Sequence, residues 1–495
     1  VKKILLSLMI LSASISFATQ TRIAGLGVNN WNIEDDYNIW FNPALINHYN
    51  KLIIGELGTG AIPAGLTPNI LTVGTQWGGI NYDFGIGYGV FGLYLQRPYA
   101  GRIGNGTLAT NLPDANVGKG WPFGAAGTHT AITDFSLTPS PLSPLAPANQ
   151  FDLLWGYAID KINFGIAINY AYIMNNPKYN YDATGTNVGD GTFEQKFTSS
   201  DLNISVGTCL MELGPFAKFE GVITYGLPSY EVTQIESAII NTATGAKETA
   251  DSKIESKPGT NLAFLLRGIN EISTSSKLIS TFIYEIHDVS GKWTATNDAN
   301  GDGATTDDFD RTGEFKDKLT TIRFDTALNY NLGDSTLFIL ALGFVSQTIE
   351  QSIDYTSNET ALSGKYQSDT YKAETIRIPL NIALEHNITN EITGRIGVSK
   401  WLFSTGKTSV TDKNDNAGIA NPDPTKYELD ETIETTSPYG TADTATVLTT
   451  GLGIKITNNL TIDATLRQHI LFGGPYFISG VPNSLFGQLT AVYRF

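Results

Sequence analysis

A set of arginines stands at alternate positions in segments that otherwise read as strands. Arg323, Arg377, Arg395 and Arg467 fall on the polar faces of their segments, with Arg267 and Arg494 in comparable places. Glu285, Asp325, Glu385 and Asp463 share that interior face. A guanidinium presents a planar fork that takes a carboxylate through two parallel hydrogen bonds. Two chemistries follow. The plainer one is a salt-bridge network lining a polar interior. The sharper one makes an arginine, Arg377 first, the anchor for a substrate carboxylate.

A second constellation has oxygen ligands at calcium spacing. Asp298, Asn300 and Asp302 alternate and are followed by Gly303, the order that opens a calcium loop. The closing Glu is missing, since Phe309 holds position twelve; Asp308, with Asp307 and Asp310, lies close enough to close the shell. An acidic, solvated loop explains the same residues equally well. Calcium is the one cofactor the residues suggest, and none is required. Catalytic groupings are lacking: His48, His129, His287, His386 and His469 have no metal-ligand spacing, and no nucleophile motif occurs. The chain does not read as an enzyme.

The elements that position these side chains are strands. From about residue 150 the sequence alternates with period two. Phe151, Leu153, Trp155, Tyr157 and Ile159 occupy one face, and after Asp160-Lys161 the pattern resumes at Ile162–Tyr172. Similar stripes occur at Ile322–Tyr330, Ile376–Leu384, Leu448–Ile456 and Leu460–Leu466. Short connections near 160–161, 212–214, 270–275, 332–334, 387–390 and 457–459 alternate with long polar ones near 175–197, 226–258, 290–316, 351–369 and 406–443. A transmembrane barrel with short turns at one end and long loops at the other has this rhythm. Early candidates lie at about 51–58, 70–80 and Phe84–Gln96, and the direct count is sixteen. The predicted fold is all-β, a transmembrane antiparallel β-barrel of 14–16 strands over 51–495. The longest connection, 98–149, carries Ile132, Phe135, Leu137, Leu142 and Leu145 among prolines. It reads as a capture surface or a cover over the mouth.

Residues 1–18 read as a signal peptide: Lys2 and Lys3, an apolar run, then Ser16-Phe17-Ala18. The apolar run is too short to span a bilayer comfortably. The formal net charge of −16 excludes nucleic acid as a natural partner. Cys209 is the single cysteine, so no internal disulfide can staple the fold.

Leu489, Ala491, Tyr493 and Phe495 alternate in a segment that resembles the closing strand of bacterial outer-membrane barrels. Ala24-Gly25-Leu26-Gly27, Asp35-Asp36 and Asn42-Pro43-Ala44-Leu45 resemble the N-terminal signature of the FadL-like long-chain fatty-acid and hydrocarbon transporter superfamily. Phe84–Val90 is similar to the family's glycine-rich third strand, and Trp155–Ala167 to its next hairpin. Asn29 and Asn30 depart from the family's small residues, and sixteen strands exceed its usual fourteen. The resemblance implies that 19–50 folds inward as a plug, with Asn42, Pro43 and Ala44 at its gate; a periplasmic tail is the alternative. It also implies passive passage of a fatty-acid-like or hydrocarbon solute, with outer-membrane lipid and a hydrophobic small molecule as partners. A general or solute-selective porin, and a non-transport barrel serving as an assembly partner or surface structure, are the competing functions.

Overall fold

The computed structural model describes residues 20–58, 76–85, 87–97, 148–176, 178–181, 191–241, 246–298, 309–357, 365–414, 431–437, 446–466 and 486–495. A short helix, α1 (Gln20–Leu26), and three 3-10 turns precede the strands. The strands are β1 (Leu52–Gly58), β2 (Trp77–Asp83), β3 (Val90–Leu95), β4 (Ala148–Ile159), β5 (Ile162–Asn175), β6 (Lys178–Tyr181), β7 (Gly191–Leu213), β8 (Phe216–Asn241), β9 (Ala246–Ser256) and β10 (Thr260–Ser273). They continue as β11 (Ser276–Asp298), β12 (Phe309–Leu332), β13 (Thr336–Ser357), β14 (Lys365–Asn387), β15 (Ile392–Asn414), β16 (Glu431–Ser437), β17 (Val447–Lys455), β18 (Leu460–Leu466) and β19 (Phe486–Arg494).

Every described pairing is antiparallel, and β1 pairs with both β2 and β19, so the sheet closes. Three strands prolong others. β6 follows β5 along β7, β9 precedes β10 between β8 and β11, and β16 precedes β17 along β15. Among the described residues the wall is therefore a closed antiparallel barrel of sixteen strands, the number expected from the alternation.

Burial follows the period of two with lipid outside. On β13, Leu340, Leu342 and Phe344 are exposed while Ile339 and Ala341 are buried; on β12, Ile322 and Phe324 flank Arg323. A closed wall leaves no unpaired edge, and an outward apolar band under these conditions is a membrane-facing surface. The band stops sharply. Beyond Phe344 the outer face of β13 reads Ser346, Thr348 and Glu350, and beyond Ile376 that of β14 reads Glu374 and Lys372.

That boundary explains a correction. The long connections expected near 175–197, 226–258, 290–316, 351–369 and 406–443 begin and end in strand among the described residues, because β7, β8 and β11–β15 run for 22 to 26 residues each. At roughly 3.3 Å per residue and a tilt near 40°, such strands rise well past an apolar band about 25 Å tall. Above the band the outer face is polar and the inner face keeps only scattered apolar residues such as Tyr230, Val289 and Phe315, so hydrophobic alternation no longer marks the strand. A second correction concerns Phe84–Val90. Among the described residues, 84–85 and 87–89 belong to the connection between β2 and β3, with Gly85, Gly87 and Gly89 at φ of 91°, 97° and 78°, and β3 begins only at Val90. Three positive φ values within five residues cannot continue a strand.

Candidate functional site

The segment from Gln20 to Asn50 lies inside the barrel, and most of its side chains are buried. Its local folding is encoded in short polar caps. Asp35 accepts from the Tyr37 backbone N–H at 2.9 Å, and Asn38 Oδ1 accepts from Asp35 N–H at 3.0 Å, a reciprocal cap for the turn Asp36–Trp40. Asn42 Oδ1 accepts from Ala44 N–H at 3.1 Å and opens the turn Pro43–His48. Pro43 sits at its first position, where a missing N–H costs nothing.

Asn42, Pro43 and Ala44 lie directly on the wall. A Cβ on Gly207 would come 2.2 Å from Asn42 Oδ1, and one on Gly165 would come 2.2 Å from Ala44 N. Ile46 Cγ2 lies equally close to the corresponding point on Gly156. Gly156, Gly165 and Gly207 pair side by side across β4, β5 and β7. They form a track without side chains along which the plug backbone rests, the use of strand glycine that a close backbone approach demands. Asn42 Nδ2 then donates to Thr208 O and to Glu220 Oε2, each at 3.2 Å. Beside the track, Trp40 packs edge-on against Trp77 and Tyr94, with the Arg97 guanidinium 4.2 Å from its ring centroid. Ile39, Ile46, Leu154 and Leu265 complete this apolar seam.

The opposite side is ionic. Arg22 holds Glu385 through two nitrogens at 2.7 and 2.8 Å and Asp35 at 2.9 Å. Arg395 contacts the same Glu385 and Asp463, both at 2.6 Å. Arg267 reaches Ile33 O at 2.8 Å, Asn38 Oδ1 at 3.0 Å and Glu220 at 3.4 Å. Trp31 Nε1 donates to Asp325, which also takes Arg323 at 2.6 Å, and Arg323 lies over the Trp31 ring. Glu34 takes Lys218 at 2.5 Å and Lys277 at 2.7 Å. Arg494 reaches Asp36 at 3.4 Å.

These surroundings shift the acids of the plug in opposite directions. Burial would raise Glu34, but Lys218 and Lys277 outweigh it and hold the carboxyl well below the usual range. Burial, and then the neighbouring Asp35 charge, push Asp36 well up against the pull of Arg494. Burial also pushes the Tyr37 phenol up to about 12.

The arginines singled out in the sequence thus have distinct places. Arg395 belongs to the network that joins Asp463, Glu385, Arg22 and Asp35. Arg323 is tied to Asp325 and Trp31. Arg377 lies half-buried over the Trp401 ring at 5.1 Å, beside a register shift at Ile378/Pro379. Arg467 lies outside the described residues. Of the calcium candidates, Asp298 ends β11, while Asn300, Asp302 and Asp308 lie outside the described residues, as do residues 1–18 and 98–147. The sequence reading missed Arg22, Glu34, Lys218, Glu220 and Lys277. Each is an unremarkable charge until the register brings plug and wall together.

The fold and its site define a membrane-spanning barrel whose lumen holds its own N-terminal segment. No family model and no curated protein matches the chain. Among solved structures it is similar to the toluene transporter TodX of Pseudomonas putida, with 11% identity, 70% of this chain and 82% of that one covered, and a TM-score of 0.31. A TodX deltaS2S3 mutant, described as a monoaromatic hydrocarbon channel, matches at 10% identity over 97% and 99% with a TM-score of 0.35. The FrpB iron transporter of Neisseria meningitidis matches at 9% over 91% and 83% with a TM-score of 0.26. Likenesses at these scores carry neither family nor substrate.

Proposed function

We propose that this is a bacterial outer-membrane transport protein for small hydrophobic or amphiphilic molecules, passive and gated by the plug. The observation that supports the reading is how the plug is seated. Buried ion pairs add little stability compared with apolar packing, yet they define one position strongly, because separating the partners strands a charge. The plug meets β8, β11, β14 and β19 through such pairs and meets β2–β7 through aromatic and aliphatic side chains. Movement of the plug would uncover an apolar face continuous with the wall, a surface on which a hydrophobic solute can pass without full exposure to water. The same occupancy disfavours a general porin, whose lumen is an open aqueous passage.

Locking the plug tests this. Thr21 Oγ1 and Thr490 Oγ1 lie 2.5 Å apart, so Thr21→Cys with Thr490→Cys, in a Cys209→Ala background, can join plug to wall. Liposome uptake of a small aromatic hydrocarbon should fall on oxidation and return on reduction. Uptake indifferent to a demonstrated cross-link would refute gating by the plug.

A further inference from the structure

Two pairing rows beyond the glycine track, the inner wall carries polar groups of a different kind. One row runs Asn203, Gly226, Asn261 and His287 across β7, β8, β10 and β11. The adjoining row runs Ser205, Thr224, Ala263, Glu285 and Thr321. Ser205 and Thr224 satisfy each other at 2.7 Å. The others do not: among the described residues, Asn203 Oδ1 and Nδ2, Asn261 Oδ1, Glu285 Oε2, His287 Nε2 and Thr321 Oγ1 have no hydrogen-bond partner. All five side chains are more than nine-tenths buried. Gly226 and Ala263 leave the centre of the patch low, and Asn203 leans across Gly226, its Oδ1 2.2 Å from the point where a Cβ would stand.

Such a group of buried, unmet polar atoms is costly unless something completes it. Counted by role, acceptors outnumber donors: two amide oxygens and a carboxylate oxygen stand against the single Asn203 amide nitrogen, and the hydroxyl and the imidazole nitrogen can play either part. No arginine or lysine shares these two rows from β7 to β12. An ammonium, with three N–H donors and a positive charge, matches that inventory; a carboxylate or phosphate would face Glu285.

We propose that Asn261, Glu285, His287 and Thr321, on the adjacent strands β10, β11 and β12, form a lumen subsite for a primary ammonium group, carried by an amphiphilic solute. The proposal rests on the transport reading for its occupant, naming the polar end of the molecule that passes. The site selects charge through Glu285 and geometry through Asn261 and Thr321 on the strands to either side.

The test uses the full barrel in a neutral detergent, titrated calorimetrically with octylammonium and with octanol. Octylammonium should bind at least about tenfold more tightly, the scale of a charged hydrogen bond. Glu285→Gln should erase the preference, and Asn261→Ala and Thr321→Val should each weaken it severalfold; if Glu285→Gln fails to assemble, these two carry the test. Equal affinity for both probes, or a preference untouched by assembled variants, would overturn the subsite. Reconstitution in phosphatidylethanolamine against phosphatidylcholine separates the sources: competition by the ethanolamine lipid assigns the ammonium to a headgroup, and its absence to a free amine. If wild type binds octylammonium but plug-locked and unlocked barrels give the same flux, the subsite stands and the gating reading falls. Flux controlled by the lock without any ammonium preference gives the converse.

Discussion

The two ends of the plug are held by different means. Around Asn42–Ile46 the chain lies on bare backbone, with glycine on three neighbouring strands and an aromatic cluster beside it. Around Gln20–Leu26 and Asp35 the chain also approaches wall glycines, Gly397 and Gly451, but there a chain of alternating charges is added, running from Asp35 through Arg22, Glu385 and Arg395 to Asp463. Close packing tolerates no added volume, whereas a charge network tolerates volume but not the loss of a member. One end is therefore set by shape and the other by shape and charge together, so loss of a charge should loosen the second and spare the first.

The largest effect should come from filling the track. A Cβ on Gly165 meets Pro43 C and Ala44 N at 2.2 Å, both of them backbone atoms that cannot swing aside. Gly165→Val should expel the Pro43–His48 turn while leaving the outer, lipid-facing side of β5 untouched. We expect proteolysis within 20–50 and a step up in single-channel conductance in planar bilayers. Gly221→Ala is the control, since its Cβ has nothing nearer than Thr208 Oγ1 at 3.6 Å. A closed, protected plug in the Gly165 variant would show that the track does not seat it.

Removing a member of the charge chain comes next. Arg22→Ala takes one of its two arginines from Glu385 and removes the guanidinium beside Asp35. Breaking a buried pair in this way costs about 3–5 kcal/mol. The loss should appear as faster hydrogen exchange across residues 20–36, with the Pro43–His48 turn still protected. Uniform exchange across the whole plug would mean that the two ends are coupled and the contrast is false.

How much of this could be read beforehand follows the same division. Lipid imposes period two on every strand it touches, so the wall and its sixteen strands were legible from Phe151–Asp160, Ile322–Tyr330 and their like. Above the band that constraint ends, and strands such as β11 and β12 continue through residues that resemble loops. The Asn42-Pro43-Ala44 cap was legible because it is local. Its seat was not: Gly156, Gly165 and Gly207 look like weak points in three strands until pairing places them side by side. Glu34 is separated from Lys218 by 184 residues and from Lys277 by 243, a distance no local pattern bridges.

The smallest effect belongs to that last contact, and pH reveals it. Glu34 and its two lysines are between about a quarter and two-fifths exposed, so the latch is worth only about 1 kcal/mol after solvent screening. Its sign is definite. Docking lowers the Glu34 carboxyl below its ordinary value of 4.5, so the docked state binds fewer protons than the released one. The contribution is complete above that ordinary value and is lost as pH falls through it towards the lowered one. Asp36 works against it, because a raised carboxyl contributes most in acid and loses that contribution as pH rises. Protease sensitivity of residues 30–36, measured from neutral pH down to about 3, should in wild type combine a loss at Glu34 with a gain at Asp36. Glu34→Gln removes the first and should leave a plug that is looser at neutral pH and loses less protection on acidification than wild type. Superimposable wild-type and Glu34→Gln curves would show that the paired lysines do nothing to hold the plug.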